Sequence, residues 1–233
     1  MGMDEFNLLK KNLLKATEIE NTDIPLIKKV VKTGKPIIIS TGMASVEELD
    51  LTVKTARENG CNDIILLKCT SSYPSSPKNT NILTIPHLRE LFGVEVGLSD
   101  HTMGVGADCA SIAMGASVIE KHFTLCRADG GVDSAFSAEP HEMKLLVTET
   151  KQAWQALGQV TYGVTESEKK SLVFRRSLYV SNDIKSGEMF TPKNLRTIRP
   201  GLGLPPKYYE ILLGKKVACD IKKGTPFTWD LLG

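Results

Sequence analysis

The chain has 233 residues, room for one large domain or two smaller ones, and its 41% hydrophobic and 24% charged residues are the ordinary make-up of a globular protein with a real core. A formal net charge of +2, with the two signs mixed throughout, argues against nucleic acid or another polyanion as partner. No apolar run approaches the roughly 20 residues of a membrane span, Met1-Gly2-Met3-Asp4-Glu5 lacks a signal-peptide layout, and the five cysteines (Cys61, Cys69, Cys109, Cys126, Cys219) have no C-x-x-C spacing, so they read as reduced thiols of a cytoplasmic protein.

Residues 1 to 13 read as a charged start with weak helical character, and Leu14 to Glu18 as a short strand. Asp23-Ile24-Pro25 opens a helix over Leu26 to Thr33 that Gly34 closes. Pro36 to Ser40 is a buried strand leaving through Thr41-Gly42. Ser45 caps the next helix, with Glu48 three residues on in the capping-box arrangement. Asp63 to Lys68 is the next strand, followed by a Ser- and Pro-rich loop from Cys69 to Asn81. Ile85 to Phe92 reads as helix, Glu95 to Leu98 as a strand running into Ser99-Asp100-His101-Thr102, and Ala107 to Gly115 as a helix of small residues. The focal stretch is Val118 to Pro140. There a short apolar run, Ala116 to Ile119, ends in Glu120, Lys121 and His122, and a glycine-bearing loop leads to a helix from Glu142 to Leu157.

Strands alternating with helices over so many units predict a parallel α/β architecture. No G-x-G-x-x-G follows any strand, so a dinucleotide fold is unsupported. Polar residues gather at successive strand ends, at Ser40, Cys69 to Tyr73, Ser99 to His101 and Lys121 to Thr124; in a (β/α)8 barrel all of these face one mouth. Residues 1–158 hold four clear strands and a fifth at Leu14, against eight strands in about 250 residues for a closed barrel, so this part is expected to be the C-terminal half of a TIM barrel. Residues 159–173 read as a linker. Residues 174–233 read as a small β-rich domain with strands at Ser177 to Val180, Leu195 to Ile198, Lys216 to Ala218 and Phe227-Thr228. An internal echo, Asp183-Ile184-Lys185-Ser186-Gly187 and Asp220-Ile221-Lys222-Lys223-Gly224, predicts two related turns in it.

His101 and His122 end consecutive predicted strands, and neighbouring parallel strands lie about 4.8 Å apart, so the two imidazoles could share a metal that keeps open positions for water and a substrate oxygen. The bland reading is two independent polar residues. Asp100, Asp129 and Asp133 could orient those imidazoles or bind sugar hydroxyls, or serve loop solubility alone. Ser40, Ser71, Ser72, Ser99 and Tyr73 offer hydroxyls to phosphate or carboxylate oxygens, and Lys15 and Lys121 could neutralise an anion, although solvated lysines are commoner. His87 and His141 read as surface residues, and Arg199-Pro200-Gly201 as a rigid turn carrying a cation.

Glu120-Lys121-His122-Phe123-Thr124, Leu98-Ser99-Asp100-His101-Thr102, Ile39-Ser40-Thr41-Gly42-Met43 and Cys69-Thr70-Ser71-Ser72-Tyr73-Pro74 together resemble the nonulosonic (sialic) acid synthases over about residues 15 to 233. The tail from Phe174, with Arg199-Pro200-Gly201, resembles their antifreeze-like (SAF, β-clip) domain. Arg127 to Ser137 resembles the pseudaminic acid synthases in particular, with neuraminate or legionaminate synthases as the alternative.

The resemblance implies a C–C bond-forming transferase. It would condense phosphoenolpyruvate with the open-chain aldehyde of an N-acetylated amino sugar, 6-deoxy-2,4-diacetamido-altrose, and release phosphate after water adds. It implies a divalent metal on His101 and His122, typically manganese, with magnesium or cobalt as alternatives. Lys15, Ser40, Ser71 and Ser99 fall where the family binds phosphoenolpyruvate; Tyr73, Glu20 and Asp133 fall where the sugar lies. Arg199, with Phe174 beside it, would be inserted into the partner's mouth in a homodimer that swaps this domain. Two features depart from the family pattern. Its first barrel units, with a catalytic glutamate and lysine, are missing from the 233 residues, and Glu18 stands where the family usually has a small hydroxyl residue, a repulsive charge beside a phosphate site. A chain so truncated is expected to show little or no synthase activity. The rival from another class is a non-catalytic module that binds carbohydrate or a synthase subunit.

Overall fold

Alternation along each strand decides the first sheet. In a computed structural model, which describes residues 14–233, the strands Leu14–Ala16 (β1), Ile37–Ser40 (β2), Ile64–Cys69 (β3), Glu95–Asp100 (β4) and Ile119–Lys121 (β5) pair in chain order, all parallel. The weak helix expected in residues 1 to 13 lies outside the described residues. Parallel neighbours need a crossover, and four helices supply it: Ile24–Val31 (α1), Val46–Glu58 (α2), Thr84–Phe92 (α3) and Gly106–Ala113 (α4). Pro140–Leu157 (α5) follows β5.

One face of the sheet packs on the helices. Ala16, Ile37, Ile39, Ile64, Leu66, Val96 and Leu98 are buried there against Ile27 and Val31 of α1, Leu49, Val53 and Ala56 of α2, and Ile85, Leu88 and Phe92 of α3. The intervening residues, Lys15, Ser40, Leu67, Cys69, Gly97, Ser99 and Glu120, take the opposite face. Gly97 is needed on that face because a Cβ there would collide with the Val118 carbonyl and the Leu67 side chain. The capping box expected at Ser45 is formed, with Glu48 N to Ser45 Oγ at 3.3 Å and Ser45 N to Glu48 Oε2 at 2.7 Å.

The sheet is strongly curled. Lys15 on β1 pairs with Glu120 on β5, side chains from its first and last strands. Laid flat, four strand steps of about 4.8 Å would hold those strands some 19 Å apart, beyond the reach of a lysine and a glutamate together. The arc is therefore half of a parallel α/β barrel, as expected. Three strand boundaries differ most from the sequence reading: β1 stops at Ala16 instead of Glu18, β4 runs on to Asp100, and β5 begins at Ile119, where the apolar run is expected to end, and carries Glu120 and Lys121 within it.

The chain divides into two compact units, Met1–Gln159 and Val160–Gly233. The second includes the stretch expected as a linker, where Glu166–Phe174 forms a 3-10 run behind a Thr165–Glu168 capping box. Its antiparallel pair, Ser177–Val180 (β6) with Leu195–Ile198 (β7), has the expected bounds. The other two expected strands shrink to single bridges, Met189 with Lys216, Val217 with Leu232 and Tyr179 with Pro226. Leu178, Val180, Ile184, Phe190, Leu195, Leu212, Val217, Ile221 and Phe227 form the core, Phe190 and Phe227 edge to face with centroids 4.9 Å apart. The Asp-Ile-Lys echo is a reciprocal pair: Ile184 and Ile221 exchange both backbone hydrogen bonds, Lys185 meets Asp220 at 2.7 Å and Lys222 meets Asp183 at 2.8 Å. No helix among the described residues is long and apolar enough to cross a membrane.

Candidate active site

Strand ends deliver the polar side chains, and two loops fold over them. His101 follows β4 directly and is 95% buried, with 5% of its surface exposed. The loop after β3 grips it at two points: Ser75 N donates to the His101 carbonyl at 2.8 Å, and His101 Nδ1 lies 2.9 Å from the Thr70 carbonyl. A carbonyl only accepts, so Nδ1 carries the proton and Nε2 keeps a free lone pair. The same loop stacks Tyr73 on His101 at a centroid distance of 4.2 Å.

His122 follows β5. The chain beyond it doubles back, Ala138 N donating to the His122 carbonyl at 2.8 Å, and the returning loop brings Phe136 within 5.2 Å of the imidazole. Asp133, left-handed at φ 65°, places Oδ2 3.8 Å from His122 Nδ1. The two imidazoles meet edge to face with centroids 5.2 Å apart. Two imidazoles on one tetrahedral or octahedral ion, each Nε2 about 2.1 Å from it, have centroids about 4.6–5.3 Å apart, a range that includes the observed separation.

Glu120 gathers the groups expected to bind an anion. Its Oε1 accepts from both Lys15 Nζ and Ser99 Oγ, the latter at 2.8 Å. The hydroxyls of Ser40 and Ser71 are buried with no hydrogen-bond partner among the described residues. Glu120 was missed by the sequence reading. Its signal is period 2: it stands two residues before His122, on the same face.

Glu18 also belongs to the cluster. Tyr73 OH donates to Glu18 Oε1. Burial raises the Glu18 pKa, but that hydrogen bond and the nearby His101 and Lys15 outweigh it and hold the carboxyl below its ordinary value. Burial first, then the bond to Glu18, push the Tyr73 hydroxyl well above its ordinary value. Burial and then the Glu18 charge likewise raise the Cys69 thiol, which leaves it an inert neutral group.

Other sequence candidates fall elsewhere. Glu20 closes a local turn, accepting from Thr17 N at 3.0 Å and Thr17 Oγ1 at 2.9 Å, so Glu18 rather than Glu20 is bonded to Tyr73. Asp100 and Lys121 are not mouth residues. They are register partners on the helix-facing side, where Lys121 is buried between Asp100 and Asp108 and also donates to the Thr102 carbonyl at 2.9 Å. Alternation explains this correction, since Ser99 and Glu120 take the other face of the same two strands. Asp129 lies in a 3-10 turn, Arg127–Asp129, and His87 and His141 are exposed as expected. Glu139, His141 and Glu142 cluster at the start of α5, but Arg127 pairs with both glutamates, which also form that helix's capping box. Within the second unit the Arg199-Pro200-Gly201 turn lies against the Phe174 segment, Gly201 N donating to the Val173 carbonyl at 2.8 Å; Arg199 and Phe174 are both exposed.

Comparisons with known proteins show the family. The NeuB family model matches residues 2–162 and the SAF domain model matches residues 175–233. The chain is 44% identical over 210 residues to the pseudaminic acid synthase of Campylobacter jejuni subsp. jejuni, a match covering 90% of this chain and 61% of that protein. It is 39% identical over 225 residues to the N,N'-diacetyllegionaminic acid synthase of the same organism, covering 95% and 67% respectively. The crystal structure of N-acetylneuraminic acid (sialic acid) synthetase from Leptospira borgpetersenii serovar Hardjo-bovis matches with a TM-score of 0.63 and 32% identity, over 75% of this chain and 62% of that one. The chain thus spans less than two thirds of the length of the pseudaminic acid synthase it matches, 61%.

Proposed function

Because the chain belongs to the NeuB family and carries a SAF domain behind its half barrel, we propose that it serves pseudaminic acid synthesis, the condensation of phosphoenolpyruvate with 6-deoxy-2,4-diacetamido-altrose and water to give pseudaminic acid and phosphate. The observation that carries the reading is the pair of facing imidazoles that follow the neighbouring strands β4 and β5. His101 and His122 would hold a divalent ion, manganese by preference, which when bound polarises the sugar's aldehyde oxygen toward attack.

This chain's own residues would do the rest by binding and orientation. Lys15, Ser40, Ser71 and Ser99 form the anion side, with Glu120 holding Lys15 and Ser99 in register. Thr70 fixes the His101 tautomer, and Asp133 sets a carboxylate 3.8 Å from His122 Nδ1. Tyr73 and Phe136 wall the rings and offer an apolar surface to the sugar. Arg199 and Phe174 would come from the SAF domain of a second copy in a homodimer.

The test is phosphate release from phosphoenolpyruvate with manganese. The altrose derivative and N-acetylmannosamine are run in parallel, beside a full-length relative. Release with the altrose derivative alone is expected, far slower than the relative's. Release with N-acetylmannosamine alone would move the assignment to a neuraminate synthase. No release with either sugar, with manganese still bound, would leave a non-catalytic module.

A further inference from the structure

Among the described residues at this mouth carboxylates outnumber cations. Glu18, Glu120 and Asp133 stand among the site's side chains with one lysine, Lys15, which Glu120 already pairs. The backbone holds Glu18 in place. The Asn21 amide donates to the Ser40 carbonyl at 2.9 Å and the Thr41 carbonyl at 2.8 Å, tying the turn that carries Glu18 to the end of β2. Gly42, at φ +49°, leaves no room for a Cβ because the Cβ and carbonyl of Glu18 fill that space. The Glu18 carboxylate is then pinned at its tip by the Tyr73 hydroxyl.

The free hydroxyls of Ser40 and Ser71 invite an oxygen-rich ligand into the same mouth. A phosphoryl dianion arriving there meets a fixed negative charge. At the effective dielectric of pairs near a protein surface, that repulsion weakens binding by about tenfold or more. A divalent cation held by the neighbouring imidazoles would cancel that negative excess.

We propose that Glu18 makes anion binding at this mouth conditional on the divalent cation, so that phosphoenolpyruvate enters only with the ion in place and each raises the other's affinity by the same factor. Reciprocity follows from linkage. The proposal rests on the site reading of the preceding subsection and adds a selectivity residue to it; Glu18 takes no part in bond making.

Calorimetry of phosphoenolpyruvate and of inorganic phosphate against the full chain tests it, with and without manganese at constant ionic strength, for the wild type, Glu18→Gln and Glu18→Ser. Manganese binding alone is followed by electron paramagnetic resonance. Glu18→Gln keeps the size of the side chain and an acceptor for Tyr73 while removing the charge; Glu18→Ser removes both. Manganese is expected to strengthen phosphoenolpyruvate binding about tenfold more in the wild type than in either variant, and both variants should bind it without metal. Equal enhancement in the wild type and Glu18→Gln, with manganese bound by both, overturns the role of Glu18. Failure of all three proteins to bind manganese overturns the site reading, and the proposal falls with it.

Discussion

The two units treat polar side chains in opposite ways. In the second, the repeated Asp-Ile-Lys turns satisfy each other: Asp183 accepts from Lys222 and from Lys223 N, and Asp220 accepts from Lys185 and from Ser186 N. In the first, the Ser40 and Ser71 hydroxyls are buried without a hydrogen-bond partner among the described residues, and Glu120 takes up both Lys15 and Ser99. An unpaired buried donor costs about 1–3 kcal/mol, a cost that persists where a ligand will supply the missing partner.

The largest expected break in that comparison is on the helix side of the first sheet, where Lys121 is buried between Asp100 and Asp108. Lys121→Met leaves Asp100 and Asp108 as uncompensated buried charges and should cost the first unit about 3–5 kcal/mol. Trp154 lies in the first unit and Trp229 in the second, so single-tryptophan variants follow each separately. The Trp154 transition should drop while the Trp229 transition stays; a common drop would show that the units unfold as one.

A smaller effect comes from the same trio. One lysine cannot neutralise two carboxylates, and burial, then the charge of Asp100, push the Asp108 carboxyl up to about 7 from an ordinary 3.8. Between those values the folded state holds a proton that the unfolded chain has released, so this group's contribution to stability falls as pH rises from about 4 to 7. Asp108→Asn should flatten the pH dependence of the Trp154 transition across that window, and an unchanged slope would move the titration elsewhere. The smallest effect is expected from Asp183→Asn combined with Asp220→Asn. These groups are fully exposed, and their ion pairs should shift the Trp229 melting temperature far less than Lys121→Met shifts that of Trp154.

Much of this was legible in the chain itself. The Ile-rich run at Ile37–Ile39, the capping box at Ser45 and the positions of β6 and β7 follow from local pattern, because burial with period 2 and helix-cap chemistry act over a few residues. His101 and His122 could be named because each stands at the polar end of an apolar run. Lys121 could not be assigned, since a lysine beside a glutamate and a histidine looks the same whether it faces the mouth or the helices. The boundary of β5 decided that, and with it the correction to Asp100.

The sequence by itself determined the parallel order, the approximate ends of the strands, the division into a barrel-like part and a β-rich part, and the family. The family rests on the resemblance of whole motifs, the rest on spacing along the chain. Only the tertiary structure decided that β1 and β5 curl until Lys15 meets Glu120, 105 residues away, that Glu18 and not Glu20 is bonded to Tyr73, and that Lys121 is buried. The physical reason is that sheet curvature and the face each end residue takes are set by the packing of all five strands at once, and no local window contains that information.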